Sequence, residues 1–339
     1  MGAGTRDEVC PVARGTQRTS AIAAIMPAVA YELPIDSGQV ARFVDIATFM
    51  RAPRIADLDR VDIALFGIPF DLGLAYRPGS RHAPAAVREA SRVIRRVNPT
   101  TKVNPFALCQ VADVGDVNCH PYDFDGSVDA MSAYVRELRE HGAAPIACGG
   151  DHLITLPCLR GLYDGTPFGV VQFDSHSDTL DEFYGRKITH ATTMRRAVEE
   201  GLIDPRRCVQ IGLRGSLWDG NDFAYAEEAG MRVITYDEYD EMGRDAAIAE
   251  IRRVVGTGPA YVTYDIDGLD PTQAPGTAVM EPGGFSMRDS QVILRAMTGL
   301  DIVGGDVSEV SPPLDIGGIT VTNAANLMFE ILCLVAAAR

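Results

Sequence analysis

Three short stretches carry residues whose types and spacing could do chemistry. "VVQFDSHSDTLDEF" (170–183) ends an apolar run on Asp174, His176 and Asp178, "DIDGLDP" (265–271) supplies Asp265 and Asp267, and "GGDH" (149–152) ends on His152. In extended backbone alternate side chains share a face, so Asp-x-His-x-Asp and Asp-x-Asp each aim their ligands at one point. Four carboxylates brought together repel one another unless cations neutralise them, and unpaired buried charges are costly. Four negative charges suit two divalent ions better than one. A carboxylate-rich donor set with a minority of imidazoles and no thiolate favours Mn²⁺ among first-row ions, with Ni²⁺ or Zn²⁺ tolerable. A lone strand-end Asp is ordinarily a helix N-cap, and a lone His an ordinary hydrogen-bonded core residue. Two alternating motifs plus a third strand-end histidine exceed that explanation. Asp151 and Asp270 are read as structural, in turns or behind the ligands.

The elements that must position these groups follow from apolar patterning. Eight short apolar runs read as strands: "VDIALFG" from Val61, "LCQVADVG" from Leu108, "APIACGG" from Ala144, "FGVVQFD" from Phe168, "RCVQIGL" from Arg207, "MRVITYD" from Met231, "PAYVTYD" from Pro259 and "DIVGGDV" from Asp301. Between them, "HAPAAVREASRVIRRV", "GSVDAMSAYVRELREHG" and "RDAAIAEIRRVVG" have helical spacing and the length of crossover connections. The alternation predicts an α/β fold, a mostly parallel sheet with helices on both faces, whose ligands gather at the carboxyl ends of the strands. All three polar stretches sit at such ends.

Residues 1–35 lack periodicity and read as a flexible extension, leaving 36–339 as one catalytic domain. The 339 residues are 46% apolar and 23% charged, with net charge −15. That balance argues against a nucleic-acid partner and favours a cationic small substrate. Seven cysteines without a C-x-x-C pair point to a reducing, cytoplasmic setting. No stretch reads as a membrane span, and "AIAAIMPAVA" (21–30) is a poor signal peptide because Pro27 interrupts it and Asp7 and Glu8 precede it.

In these motifs the sequence resembles the ureohydrolase family of arginases, agmatinases and guanidino-acid hydrolases. "GGDH", "DSHSD", "DIDGLDPTQAPGT" and "EVSPPLD" from Glu309 match its blocks in order, as does "GIPFDLGLAYRPGSRHAPAAVR" from Gly67. The resemblance runs from about Phe43 to the C-terminus. It implies a three-layer α/β/α sandwich around an eight-stranded parallel sheet and a dinuclear centre of two Mn²⁺, with Ni²⁺ as the alternative. His152, Asp174, Asp178 and Asp265 would hold one ion, and Asp174, His176, Asp265 and Asp267 the other. It also implies that His190, in "THATTMRRAVEEG", relays protons and that Glu309 binds the guanidinium. Catalysis would then use water activated between the metals, with Asp178 orienting the nucleophile and passing its proton to the leaving nitrogen, to give urea and an amine.

The departures fall near the substrate: "GTAVM" (276–280) brings Val279 and Met280 in place of a hydroxyl and a ring, and Ala191 follows His190. "FYGRKITHATTMRRAVEEG" is closest to agmatinase-like and guanidinoalkanoate-hydrolase members. The leading expectation is therefore an agmatinase-like hydrolase. A guanidino acid, guanidine or a biguanide is the alternative substrate, and a non-catalytic subunit of a hetero-oligomer the second alternative. A carboxylate-bearing substrate calls for a cation at the pocket mouth, for which Arg186, Lys187 and Arg214 are candidates. No G-x-G-x-x-G opens a helix after a strand, which argues against a dinucleotide. The family likeness further implies a homotrimer or homohexamer.

Overall fold

The computed structural model describes Met1 and residues 31–339. Eight strands form one sheet: β1 (Ile63–Ile68), β2 (Val111–Asp116), β3 (Ala144–Gly149), β4 (Phe168–Phe173), β5 (Ile203–Leu213), β6 (Arg232–Thr235), β7 (Ala260–Asp265) and β8 (Ile302–Ser308). Their order is β2-β1-β3-β8-β7-β4-β5-β6, with every pairing parallel. Each of the eight apolar runs overlaps one of these strands, and β5 begins four residues before its run.

The strand sequences are continuously apolar because helices cover both faces of a parallel sheet. Every residue of β1, β3, β4 and β7 is buried. The two-residue period then divides the interior into two cores. Ile63, Leu65, Phe173 and Tyr264 join one, while Ala64, Phe66, Val170 and Tyr261 join the other. The chain is the expected three-layer α/β/α sandwich. Phe173 and Tyr264 sit in register on β4 and β7 with their rings stacked at 4.9 Å, which fixes those two strands side by side beneath their polar ends.

Three expectations need correction or delimiting. The helical pattern from His82 stops early: the helix spans Ala83–Ala90 and the chain is extended by Ile94. Ser91 Oγ accepts the Met50 N–H at 2.7 Å, and the Arg92 guanidinium donates to the carbonyls of Arg42, Val44 and Asp45, so tertiary contacts override the periodicity. A helix of membrane-spanning length and hydropathy does exist at Ile319–Ala338, but 72% of its apolar window is buried in the domain. It carries Glu330 inside, paired with Arg295. Most of the proposed extension, residues 2–30, lies outside the described residues. Within 31–35, the Glu32 N–H donates to Gln110 Oε1 at 2.7 Å and the Ile35 N–H to the Arg51 carbonyl at 3.2 Å.

Candidate active site

β3, β8, β7 and β4 are consecutive in the sheet, and their carboxyl ends deliver every polar stretch to one rim. His152 opens a 3-10 turn after β3 whose N-cap, Asp151, accepts the Leu153 N–H at 3.1 Å. Asp265 ends β7 and accepts the Asp267 N–H at 2.9 Å, so one ligand carboxylate fixes the backbone of the next. Asp174 does the same for the His176 N–H at 2.6 Å after β4. Glu309 follows β8, and its N–H donates to the Gly150 carbonyl. A Cβ at Gly150 would lie 1.8 Å from the Phe70 carbonyl oxygen, so only glycine lets the β3 end approach this closely.

The six metal-ligand candidates converge. His152 Nδ1 lies 2.7 Å from Asp178 Oδ2, 3.0 Å from Asp174 Oδ2 and 3.3 Å from Asp265 Oδ2. His176 Nδ1 lies 3.1 Å from Asp267 Oδ2 and 3.6 Å from Asp174 Oδ1. Two triads that could hold a metal ion result, His152–Asp174–Asp178 and Asp174–His176–Asp267, with Asp174 in both and Asp265 in neither. Despite three carboxylates at hand, His152 Nδ1 is buried without a hydrogen bond. Burial acts to lower the His152 imidazole, but Asp174 and Asp178 prevail and raise it well above its usual range, and a divalent cation between the ring nitrogen and the three carboxylates would take that proton's place.

The electrostatics agree with that donor set. Burial, then Asp267 and Asp174, push Asp265 well above the carboxylate range. Burial and Asp174 raise Asp178 to about 6. Burial also acts to raise Asp174, but its contacts with His152 and His176 prevail and hold it low. Carboxylates crowded in this way are a set whose mutual repulsion a divalent cation would relieve. Asp178 and Glu309 both adopt left-handed backbone, φ 54° and 61°. In non-glycine residues such backbone is uncommon and concentrates at functional sites.

Behind the ligands stands a shell that motif reading missed. His152 Nε2 lies 2.8 Å from Thr263 Oγ1, whose hydroxyl donates to Asp306 Oδ1 at 2.8 Å. Thr263 has one proton, so it accepts from Nε2–H, and in the neutral ring that a metal requires the Nδ1 lone pair would then face the carboxylates. Tyr261 and Thr155 donate to Asp306 Oδ2 at 2.8 and 2.9 Å. On the other side, Gln172 Nε2 donates to Asp174 Oδ2 at 2.7 Å and Ser175 Oγ to Asp267 Oδ1 at 2.7 Å. Asp306, Thr263 and Gln172 are fully buried polar residues inside strands, and that misfit with a buried parallel strand was the available signal.

A cavity of roughly 510 Å³ opens over the ligands, lined by His176, Asp178, Asp265 and Asp267 together with His190 and Glu309. Glu309 Oε1 accepts the His152 backbone N–H at 2.8 Å, while Oε2 is buried and unpartnered. Burial, then Asp151, raises its carboxyl well above the usual range, as befits a group awaiting a cationic partner. Burial, helped by His176 and His152, lowers the His190 imidazole to about 4.

At the mouth stand Tyr76, Tyr184 and Trp218, all strongly exposed, with Val279 and Glu281 on the wall. Of the three cations expected there, only Arg214 lines the cavity. Its N–H groups all donate to main-chain carbonyls, among them those of Asp267 at 2.6 Å and Glu281 at 2.7 Å. Arg186 lies over the Phe124 ring, and Lys187 pairs with Asp181 at 2.6 Å. Met280 is exposed and outside the lining, whereas Val279 is part of it.

The model of the arginase family matches residues 61–334. A guanidinopropionase of Pseudomonas aeruginosa is 46% identical over 304 residues, 89% of this chain and 96% of that protein. A guanidinobutyrase of the same organism is 41% identical over 88% and 95%. The solved structure of proclavaminate amidino hydrolase from Streptomyces clavuligerus superposes with a TM-score of 0.85 at 39% identity, covering 88% of this chain and all of that one.

Proposed function

This chain belongs to the arginase family, and we propose that it is a metal-dependent hydrolase that opens the guanidino C–N bond of a small substrate whose far end is not anionic, releasing urea and an amine. The observation that carries the reading is a pair of His/carboxylate triads sharing Asp174 on the floor of a cavity whose wall presents the unpartnered Oε2 of Glu309.

His152, Asp174, Asp178 and Asp265 are assigned to one ion and Asp174, His176, Asp265 and Asp267 to the other, Mn²⁺ first and Ni²⁺ as alternative. Two such ions would supply Lewis-acid activation of water near neutral pH. Glu309 draws the guanidinium in by charge-assisted hydrogen bonds. Asp178, the carboxylate nearest His152, orients the nucleophile and carries its proton to the departing nitrogen. His190, a neutral imidazole at neutral pH, would pass to solvent the other proton, the one that a fresh water molecule loses when it is activated. Loss of the amine needs nothing further from the protein than the opening above.

An agmatine-like substrate is supported by the mouth: Glu281 offers a carboxylate, and no described cation lining the cavity has an N–H to spare for an anion. The names of the two Pseudomonas relatives favour a second reading, a guanidino acid. A urea-release assay with Mn²⁺ or Ni²⁺ decides, using agmatine, 4-guanidinobutyrate, 3-guanidinopropionate, guanidine and neutral butylguanidine. Agmatine is expected to lead, and Glu281→Gln to lower its kcat/KM about tenfold while sparing butylguanidine. Preference for either acid installs the second reading, and no urea from any of them retires the hydrolase. A biguanide requires direct product analysis, since it need not release urea.

The family premise extends to a homotrimer or homohexamer, to be read by light scattering. The six described cysteines are free thiols, which supports a reducing, cytoplasmic setting.

A further inference from the structure

A second cavity, of roughly 440 Å³, lies beside the segment that leads into β2, and none of its lining residues belongs to the cavity above the metal ligands. Four arginines line it, Arg42, Arg51, Arg95 and Arg96, against one carboxylate, Asp36. In a chain of net charge −15 such a concentration of one sign is not a by-product of composition.

Arg51 is the centre of the argument. It is 3% exposed, and its side chain makes hydrogen bonds only from Nη1, to Ser37 Oγ at 3.1 Å and to the Val40 carbonyl at 3.0 Å. Its Nε and Nη2 are buried and have no partner among the described residues, and the same holds for Nε of Arg42. The other two deeply buried arginines among the described residues each have a carboxylate, Arg92 meeting Glu89 at 2.7 Å and Arg196 meeting Asp181 at 3.0 Å, although Arg196 also leaves its Nε without a partner. A guanidinium does not escape burial by losing its proton, so an unpaired one is stable only when an anion completes it.

The backbone shows the same compulsion. Met50 and Arg51 are consecutive non-glycine residues at φ 55° and 58°, a conformation that persists only where the surroundings enforce it. It is held by the Ser91 hydroxyl on the Met50 N–H, while Arg92 anchors the carbonyls of Arg42, Val44 and Asp45. Asp36 does not neutralise the cluster. Its Oδ1 accepts the Gly38 N–H at 2.8 Å, and it pairs with none of the four arginines.

We infer that this cavity binds a small oxyanion, a carboxylate or a phosphate. It sits among Arg42, Arg51, Arg95 and Arg96, and the buried Arg51 guanidinium is the charge that it neutralises. The ligand stabilises the fold at the outer edge of the sheet and takes no part in the hydrolysis.

The test is thermal unfolding of the metal-loaded protein in chloride buffer, titrated with inorganic phosphate in one arm and succinate in the other. Wild type is expected to rise in Tm with at least one of them, and the responding arm identifies the ligand's chemistry. Arg51→Gln should abolish the rise. Should that variant fail to fold, Arg42→Gln/Arg95→Gln, which changes only partly or fully exposed side chains, should weaken the apparent affinity about tenfold. All variants keep the same metal ligands, so anion binding at the metal centre contributes equally to each and cancels in the comparison. Wild type unresponsive to both anions overturns the inference, including the case where a carboxylate of a second copy already fills the cavity. Equal shifts in wild type and the double variant overturn it as well.

Discussion

His190 Nδ1 lies 3.8 Å from Glu309 Oε1, too far for a hydrogen bond, and the opposite atoms of the two groups, Nε2 and Oε2, are both buried and unpartnered. Two polar groups face one cavity with hydrogen-bonding capacity unused. A planar cation carrying several N–H donors satisfies the carboxylate, and a proton in transit satisfies the ring. The pair therefore tests substrate capture and proton movement separately.

Glu309→Gln keeps the shape and removes the charge. It should lower kcat/KM for the best guanidino substrate by roughly tenfold to a hundredfold, the equivalent of about 1.5–3 kcal/mol for a lost charge-assisted contact. Metal content by atomic spectroscopy should be unchanged. Undiminished activity would remove Glu309 from substrate binding.

His190→Asn should lower kcat by roughly a hundredfold. The folded ring has its pKa near 4 against an ordinary 6.5, so between those values the unfolded chain binds a proton that the native protein does not. Stability therefore falls as pH drops from 6.5 towards 4. The variant lacks this penalty, and its Tm should decline less steeply than that of wild type over the window. Parallel declines would show the ring to be free to titrate in the fold.

Thr263→Val removes the hydroxyl between His152 Nε2 and Asp306 Oδ1 while nearly preserving volume. With the ring no longer held in its tautomer, metal affinity should weaken by about 10–100-fold, whereas both triads stay intact. Calorimetric metal titration measures this directly. An unchanged affinity would mean that packing alone orients His152.

Glu330→Ala should destabilise the domain by about 3–5 kcal/mol, because it strands a buried arginine. Glu330 accepts from Arg295 Nε at 3.0 and 3.1 Å and from Asn98 Nδ2 at 2.8 Å, inside the apolar helix Ile319–Ala338. Urea unfolding gives the value. A loss below about 1 kcal/mol would place the pair with exposed salt bridges.

Much of this was written in the residues themselves. Local rules determined the eight strands, the polar ends of three of them and the same-face alternation in Asp174-x-His176-x-Asp178 and Asp265-x-Asp267, because side-chain direction in a strand is a two-residue property. Which strands lie together was not local. β3 lies beside β8 and β7 beside β4 although the chain visits the members of each pair far apart, and only that order sets His152 beside Asp178 and Glu309 beside His190. Burial and hydrogen-bond partners are likewise set by the whole fold. They made Arg214 a fastener of main-chain carbonyls when its sequence position suggested an anion clamp. They lowered the His190 imidazole, and they left Arg51 without a carboxylate in a cavity that no motif announces.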